Sequence, residues 1–199
     1  MILLHGRGAD EGDLLGLASY LDERLLILSV RAPHQFEFGG GYTWYDAGET
    51  GATEPTMFRS SYDKLTTFVD DALVHYPVDK RQLYLLGFSM GTVMSYALAL
   101  SRPATFRGVI ANSGYVAEDT HLTYLWNEIA SIDFFIAHGT EDPVIPVQRA
   151  RRARQLLEGG NAHLEYREYP MAHQISEESL GDFSRWLEQR LDNPQGAVW

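Results

Sequence analysis

Leu83-Tyr84-Leu85-Leu86-Gly87-Phe88-Ser89-Met90-Gly91 runs an apolar strand straight into a glycine-flanked serine, and a long apolar helical pattern follows. Strand, sharp turn and helix are the context that gives G-x-S-x-G its chemical meaning. A serine at the apex of so tight a turn is held in a strained backbone conformation, at a cost of about 1–3 kcal/mol. The residues two positions away on either side must lack a side chain, because strand and helix approach closely there. Gly87 and Gly91 stand at those positions. The hydroxyl is lifted out of the sheet edge beside the first N–H groups of a helix. A chance serine in a glycine turn is the bland alternative. The strand before and the helix after make Ser89 the candidate nucleophile.

The rest of the chain alternates in the same way. Short apolar runs predict strands at 2–4, 25–30, 83–86, 108–111, 134–137 and 163–166. They are continuous rather than alternating, as in a parallel sheet buried on both faces. Helical spacing predicts helices at 13–23, 61–75, 91–100, 147–157 and 176–191. The third stops at Arg102-Pro103 and the fourth at Gly159-Gly160, both ordinary helix ends. The pattern predicts one α/β domain over residues 1–199, with a mainly parallel sheet of about six strands flanked by helices. Two stretches resist assignment. Residues 31–59 are long for a loop and hold Gly39-Gly40-Gly41 and then Tyr42-Thr43-Trp44-Tyr45-Asp46. Residues 113–132 are mixed. Their aromatics suit either pocket walls or a satellite core under a loop.

Composition narrows the function classes. The 199 residues are 45% hydrophobic and 22% charged, ordinary for a globular protein. Against 27 acidic side chains stand 16 basic ones, a net charge of −11. That balance disfavours nucleic acid and anionic membrane as partners. The arginine run Arg149, Arg151, Arg152 and Arg154 reads as a solvated helix face. There is no cysteine, which excludes disulfides, thiolate catalysis and Cys-based metal sites. No apolar run approaches the ~18 residues of a membrane span, and no signal peptide is visible. Membrane insertion is therefore not expected, and the cytoplasm is the expected location.

A nucleophilic serine needs a base and a group that orients the base. Sites in such sheets gather at the carboxyl ends of the strands. Gly139-Thr140-Glu141-Asp142-Pro143 follows the strand at 134–137, which offers Asp142 as the acid and Glu141 as its rival. An Asx-type turn would favour the same residues. Tyr169-Pro170-Met171-Ala172-His173 follows the last strand, so His173 completes the chain order Ser, Asp, His. His5, His34, His75, His121, His138 and His163 fit the base role less well. No paired-histidine or H-E-x-x-H spacing occurs, so no metal site is expected. Two N–H donors must stabilise the oxyanion of acyl transfer. The backbone of Met90 supplies one, as the residue after the nucleophile. The glycine-rich His5-Gly6-Arg7-Gly8 turn supplies the other, with the Arg7 N–H as candidate. That turn lacks the Walker lysine and the G-x-G-x-x-G spacing of phosphate loops.

Four segments carry a resemblance: His5-Gly-Arg-Gly-Ala-Asp10, Gly39-Gly-Gly-Tyr-Thr-Trp-Tyr-Asp46, Gly87-Phe-Ser-Met-Gly91 and His138-Gly-Thr-Glu-Asp-Pro-Val-Ile-Pro146. Together they resemble the phospholipase/carboxylesterase family of α/β-hydrolases, which includes small bacterial carboxylesterases and the acyl-protein thioesterases. The resemblance covers nearly the whole chain. It implies a compact α/β-hydrolase fold, a triad of Ser89, Asp142 and His173, and oxyanion donors at Arg7 and Met90. It also implies Trp44 and Tyr45 near the acyl or alcohol pocket, no cofactor, and a small-molecule ester or thioester substrate of short to medium chain. The chain departs from the family in two ways. Met90-Gly91-Thr92 stands where members commonly have Gln-Gly-Gly. The strands that usually precede the H-G-x-G strand are missing, which leaves 25–30 as a sheet edge and invites a homodimer across it. The shorter form favours a bacterial-type carboxylesterase over a thioesterase or lysophospholipase-like hydrolase. A non-catalytic homologue holding an apolar ligand at Trp44 and Tyr45 is the reading from another class. Dienelactone-type hydrolases typically carry cysteine where Ser89 stands, and no cap or propeller supports a peptidase.

Overall fold

The computed structural model describes residues 1–37, 39–46 and 53–193. Eight strands and four α-helices follow in chain order. They are β1 (Ile2–Leu4), β2 (Leu28–Val30), β3 (His34–Gln35), β4 (Tyr42–Thr43), α1 (Pro55–His75), β5 (Tyr84–Phe88), α2 (Met90–Ser101), β6 (Gly108–Asn112), β7 (Asp133–Gly139), α3 (Val147–Gly159), β8 (His163–Tyr169) and α4 (Glu177–Asp192). Six strands form one sheet in the order β2-β1-β5-β6-β7-β8, every pair parallel. The expected α/β architecture is present, and β2 is an edge strand as expected.

Alternation along each strand separates two cores. Ile2, Leu4, Leu85, Phe134 and Ile136 face one cluster, which includes Leu65 and Val69 of α1, Val93 and Ala97 of α2, and Ala150 of α3. Leu3, Tyr84, Leu86, Phe135 and Ala137 face the other, with Phe183, Trp186 and Leu187 of α4. The strands read as unbroken apolar runs because both faces are covered. All of α2 from Met90 to Leu100 is buried, which explains its lack of a polar face.

Several boundaries differ from expectation, each for a local reason. Residues 13–23 form only a 3-10 helix at Leu14–Tyr20. Asp13 makes no side-chain cap bond there, and Gly16 sits inside the segment, where glycine disfavours helix. The 25–30 strand shortens to β2 because Asp22 accepts the Arg24 N–H at 2.9 Å and the Leu25 N–H closes a turn onto the Asp22 carbonyl. Helix α1 starts six residues before the expected position 61. Glu54 caps it, accepting from Thr56 N–H at 3.0 Å and Met57 N–H at 2.6 Å, with Pro55 in the first turn. Within the unassigned 31–59 stretch, β3 and β4 form an antiparallel ribbon. Positions 38 and 47–52 of that stretch lie outside the described residues. The 113–132 stretch contains a 3-10 helix at Trp126–Ser131.

The elbow depends on backbone contact. A Cβ on Gly91 would lie 1.8 Å from the Leu4 carbonyl oxygen, and one on Gly87 2.5 Å from the Thr92 nitrogen. No side chain fits either place. Gly91→Ala is expected to lower stability by about 3 kcal/mol or more, the upper range for overpacking. Gly181→Ala, on α4, meets nothing nearer than an Arg185 terminal nitrogen at 3.6 Å, and is expected to stabilise by about 0.5–1 kcal/mol. Urea denaturation of the two variants beside the parent checks both signs.

Candidate active site

Ser89 sits at φ 54° and ψ −119°, between the end of β5 and the first residue of α2. This is a left-handed conformation that L residues rarely adopt, and it stores strain. The neighbouring backbone holds it there. The Ser89 N–H donates to the Asn112 carbonyl at 3.0 Å, and the Thr92 N–H donates to the Ser89 carbonyl at 3.0 Å. The Thr92 hydroxyl donates to the Asn112 carbonyl at 2.7 Å. Gly114 lies so close behind that a Cβ there would meet the Thr92 side chain at 2.4 Å.

Asp142 and His173 come from loops after β7 and β8. The two loops are locked together: Thr140 N–H donates to the Tyr169 carbonyl at 2.8 Å and Glu141 N–H to the Met171 carbonyl at 3.2 Å. Gly139 permits this approach, since a Cβ on it would lie 2.1 Å from the Met171 oxygen. The Asp142 side chain is fully buried. One carboxylate oxygen accepts the N–H groups of Val144 at 2.8 Å and Ile145 at 2.9 Å. The other faces His173 Nδ1 at 2.7 Å, and His173 Nε2 faces the Ser89 hydroxyl oxygen at 3.0 Å. An ionised carboxylate only accepts, so Nδ1 carries the proton and Nε2 is left to accept from Ser89. Burial alone would raise the Asp142 pKa. The Ile145 N–H, His173 and the Val144 N–H outweigh it and hold the carboxyl below its usual value. Glu141, the rival acid, is exposed and contributes its backbone.

The turn after β1 is fixed from behind. The Ala32 N–H donates to His5 Nε2 at 3.0 Å, so the other ring nitrogen carries the hydrogen and donates to the Gly6 carbonyl at 2.6 Å. The Gly6–Arg7 peptide is trans. Its N–H therefore points opposite to its carbonyl, away from the His5 ring. Among the described residues neither the Arg7 nor the Met90 N–H donates to a protein acceptor. Gly6 abuts the candidate nucleophile: a Cβ on it would lie 3.4 Å from Ser89 Cβ. Gly8, at φ 80°, and Gly41, at φ 71°, pack backbone against backbone and tie this turn to β4.

Trp44 and Tyr45 are both 1% exposed. The Trp44 indole N–H donates to the His5 carbonyl at 2.8 Å, with the two rings 5.4 Å apart. It braces the glycine turn from the core. Tyr45 packs edge-on against Phe58 at 5.3 Å. Burial, with Tyr115 as hydrogen-bond partner, raises its pKa well above the usual tyrosine value. The Met90 sulfur lies 3.5 Å from the Thr43 hydroxyl, which also donates to the Tyr45 carbonyl at 2.7 Å.

Two histidines support the site: His138, whose place at the end of the strand before Asp142 suits a structural role, and His5, which the sequence placed only as the first residue of the glycine turn. His5 has the role just described. His138, fully buried, donates from Nε2 to the Ile145 carbonyl at 2.8 Å and lies 3.4 Å from the Asp142 carboxylate. The available signal was their placement: each lies at the carboxyl end of a strand and directly precedes a glycine of the site. Among the described residues no group of three or more His, Asp or Glu side chains is arranged to hold a metal ion. No helix among them is long and apolar enough to cross a membrane.

Burial lowers the pKa of both His5 and His138. In the unfolded chain they regain the ordinary value of about 6.5. As pH falls below that value the unfolded state takes up protons that the folded state refuses, and stability present above it is lost. The depressed Asp142 adds a further loss at lower pH, below the ordinary carboxylate range of about 4. The urea midpoint is expected to fall between pH 7 and pH 5, and to fall less in His138→Gln. Equal slopes in parent and variant would remove His138 from this account.

The model of the phospholipase/carboxylesterase family matches residues 1–191. A probable carboxylesterase SOBER1-like from Arabidopsis thaliana is 26% identical over 78% of this chain, and the match spans 62% of that protein's length. Acyl-protein thioesterase 1 from Saccharomyces cerevisiae is 26% identical over 97% of this chain and 93% of its own. Among solved structures, the Bacillus cereus carboxylesterase superposes with a TM-score of 0.84 at 25% identity, covering 94% of this chain and 86% of that one. With its parallel sheet, its elbow and a family match across nearly the whole sequence, the chain belongs to the phospholipase/carboxylesterase family of α/β-hydrolases.

Proposed function

We propose that this chain is a serine carboxylesterase that hydrolyses short- to medium-chain carboxylic esters through an acyl-enzyme on Ser89. The observation that carries the reading is the unbroken relay from Asp142 through His173 to the Ser89 hydroxyl, at 2.7 and 3.0 Å. His173 Nε2 takes the hydroxyl proton as the Ser89 oxygen attacks the ester carbonyl. Asp142 holds the tautomer and stabilises the imidazolium that forms. The N–H groups of Arg7 and Met90 receive the oxyanion. The protonated histidine gives its proton to the leaving alcohol, and water, deprotonated by the same nitrogen, releases the acid.

Packing near the serine supports short acyl groups. Met90 directly follows Ser89 and its sulfur lies 3.5 Å from the Thr43 hydroxyl, so a long side chain occupies space beside the serine. The match to the yeast acyl-protein thioesterase over 97% of this chain favours a second reading, a thioesterase acting on longer acyl chains.

Initial rates on p-nitrophenyl esters from acetate to dodecanoate separate the two. The carboxylesterase reading expects a maximum at short chains; a maximum at long chains favours the second. Ser89→Ala is expected to lower kcat by about 10⁶-fold, the scale of losing a triad nucleophile. A residual rate equal to the parent's would remove Ser89 from the chemistry. Asp142→Asn is expected to cost about 10⁴-fold in kcat, and Glu141→Gln little. The opposite ranking would transfer the acid role to Glu141.

A further inference from the structure

The chain is acidic, with 27 carboxylates against 16 basic side chains. Among the described residues every arginine except Arg7 and Arg149 lies within ion-pair distance of a carboxylate. Those two rest on aromatic faces instead. The Arg7 guanidinium sits 5.4 Å from the centre of the Phe36 ring, and that of Arg149 4.1 Å from the Tyr115 ring. Both side chains are exposed.

Their positions are not scattered. Arg7 follows Gly6, whose Cβ position is 3.4 Å from Ser89 Cβ. Tyr115 follows Gly114, whose Cβ position is 3.0 Å from the Ser89 carbonyl oxygen. Arg7 thus belongs to the turn beside Ser89, and Arg149 lies against the residue that follows Gly114. The arginine run of α3 makes the contrast within a single helix. Arg151, Arg152 and Arg154 pair with Glu168, Glu118 and Glu158. Arg149, in the first turn of the helix, has no carboxylate within ion-pair distance among the described residues, and Glu118, paired with Arg152, is the acidic group it influences. The first three are held by carboxylates, and the fourth by the face of Tyr115.

We propose that Arg7 and Arg149 select esters carrying a second, anionic group, a carboxylate or a phosphate, on one side of the scissile bond. The inference rests on Ser89 being the nucleophile. A guanidinium matches both anions with paired N–H donors. An aromatic face holds it in place without neutralising it. The overall negative charge repels anions only at long range, and salt screens it beyond about 8 Å under physiological conditions.

The test compares kcat/KM for matched ester pairs in the parent, Arg7→Gln, Arg149→Gln and the double variant. One arm sets p-nitrophenyl hemiglutarate, with a free carboxylate, against p-nitrophenyl valerate. The other sets 1-butyrylglycerol 3-phosphate against 1-butyrylglycerol, reading butyrate release. The readout is the anionic-to-neutral ratio, which cancels a general loss of activity. It is expected to fall about five- to tenfold per arginine in at least one arm. The arm that responds identifies the anion. Unchanged ratios in the double variant in both arms overturn the proposal while leaving the esterase reading intact. A parent protein that cleaves none of the four esters overturns both.

Discussion

Helix α2 lies against β1 with no atom to spare, and the rest of the site depends on that contact. A Cβ on Gly91 would sit 1.8 Å from the Leu4 carbonyl oxygen. The chain therefore leaves β5 and enters α2 through a turn whose positions two residues either side of Ser89 have no room for a side chain. The strain at φ 54° is stored because the surroundings over-determine it. The Asn112 carbonyl takes the Ser89 N–H, and two α2 amides take the Ser89 carbonyl. The same contact brings the turn after β1 beside the serine, which is why His5, Gly6 and Arg7 are near the chemistry at all. One steric fact thus places both Ser89 and the loop that faces it.

The second half of the site is assembled by a second backbone contact. Gly139 lets the loop after β7 touch the loop after β8, with the Met171 oxygen at 2.1 Å from its Cβ position. Asp142 and His173 then ride on one rigid unit. Buried N–H donors and His173 hold the carboxylate ionised against the cost of burial. His138 ties the far end of the acid loop by its bond to the Ile145 carbonyl. The side chains are thus already held in place by the fold, the condition for electrostatic preorganisation.

The elbow was legible in the sequence because its constraint is local. Two glycines around a serine, between a strand and a helix, leave few other structures. Alternation gave the sheet and most helices for the same reason. The start of α1 was not legible, because Glu54 rather than a common capping residue closes it. The β3–β4 ribbon was not legible either: it has two residues per strand and depends on the distant Gly8–Gly41 contact. Composition marked Trp44 and Tyr45 as aromatic without saying which way they face. Only the fold shows Trp44 bonded to the His5 carbonyl beneath the glycine turn. Likewise four arginines on one helix look alike in sequence, and only their partners distinguish Arg149.

The central claim is that His173, oriented by Asp142, activates Ser89 among all the hydroxyl groups of the chain. Labelling with a fluorophosphonate followed by peptide mass spectrometry tests it most directly. The account predicts a single stoichiometric adduct on Ser89, which disappears in His173→Ala. An adduct on another residue with Ser89 unmodified, or equal labelling of Ser89 without His173, would contradict it.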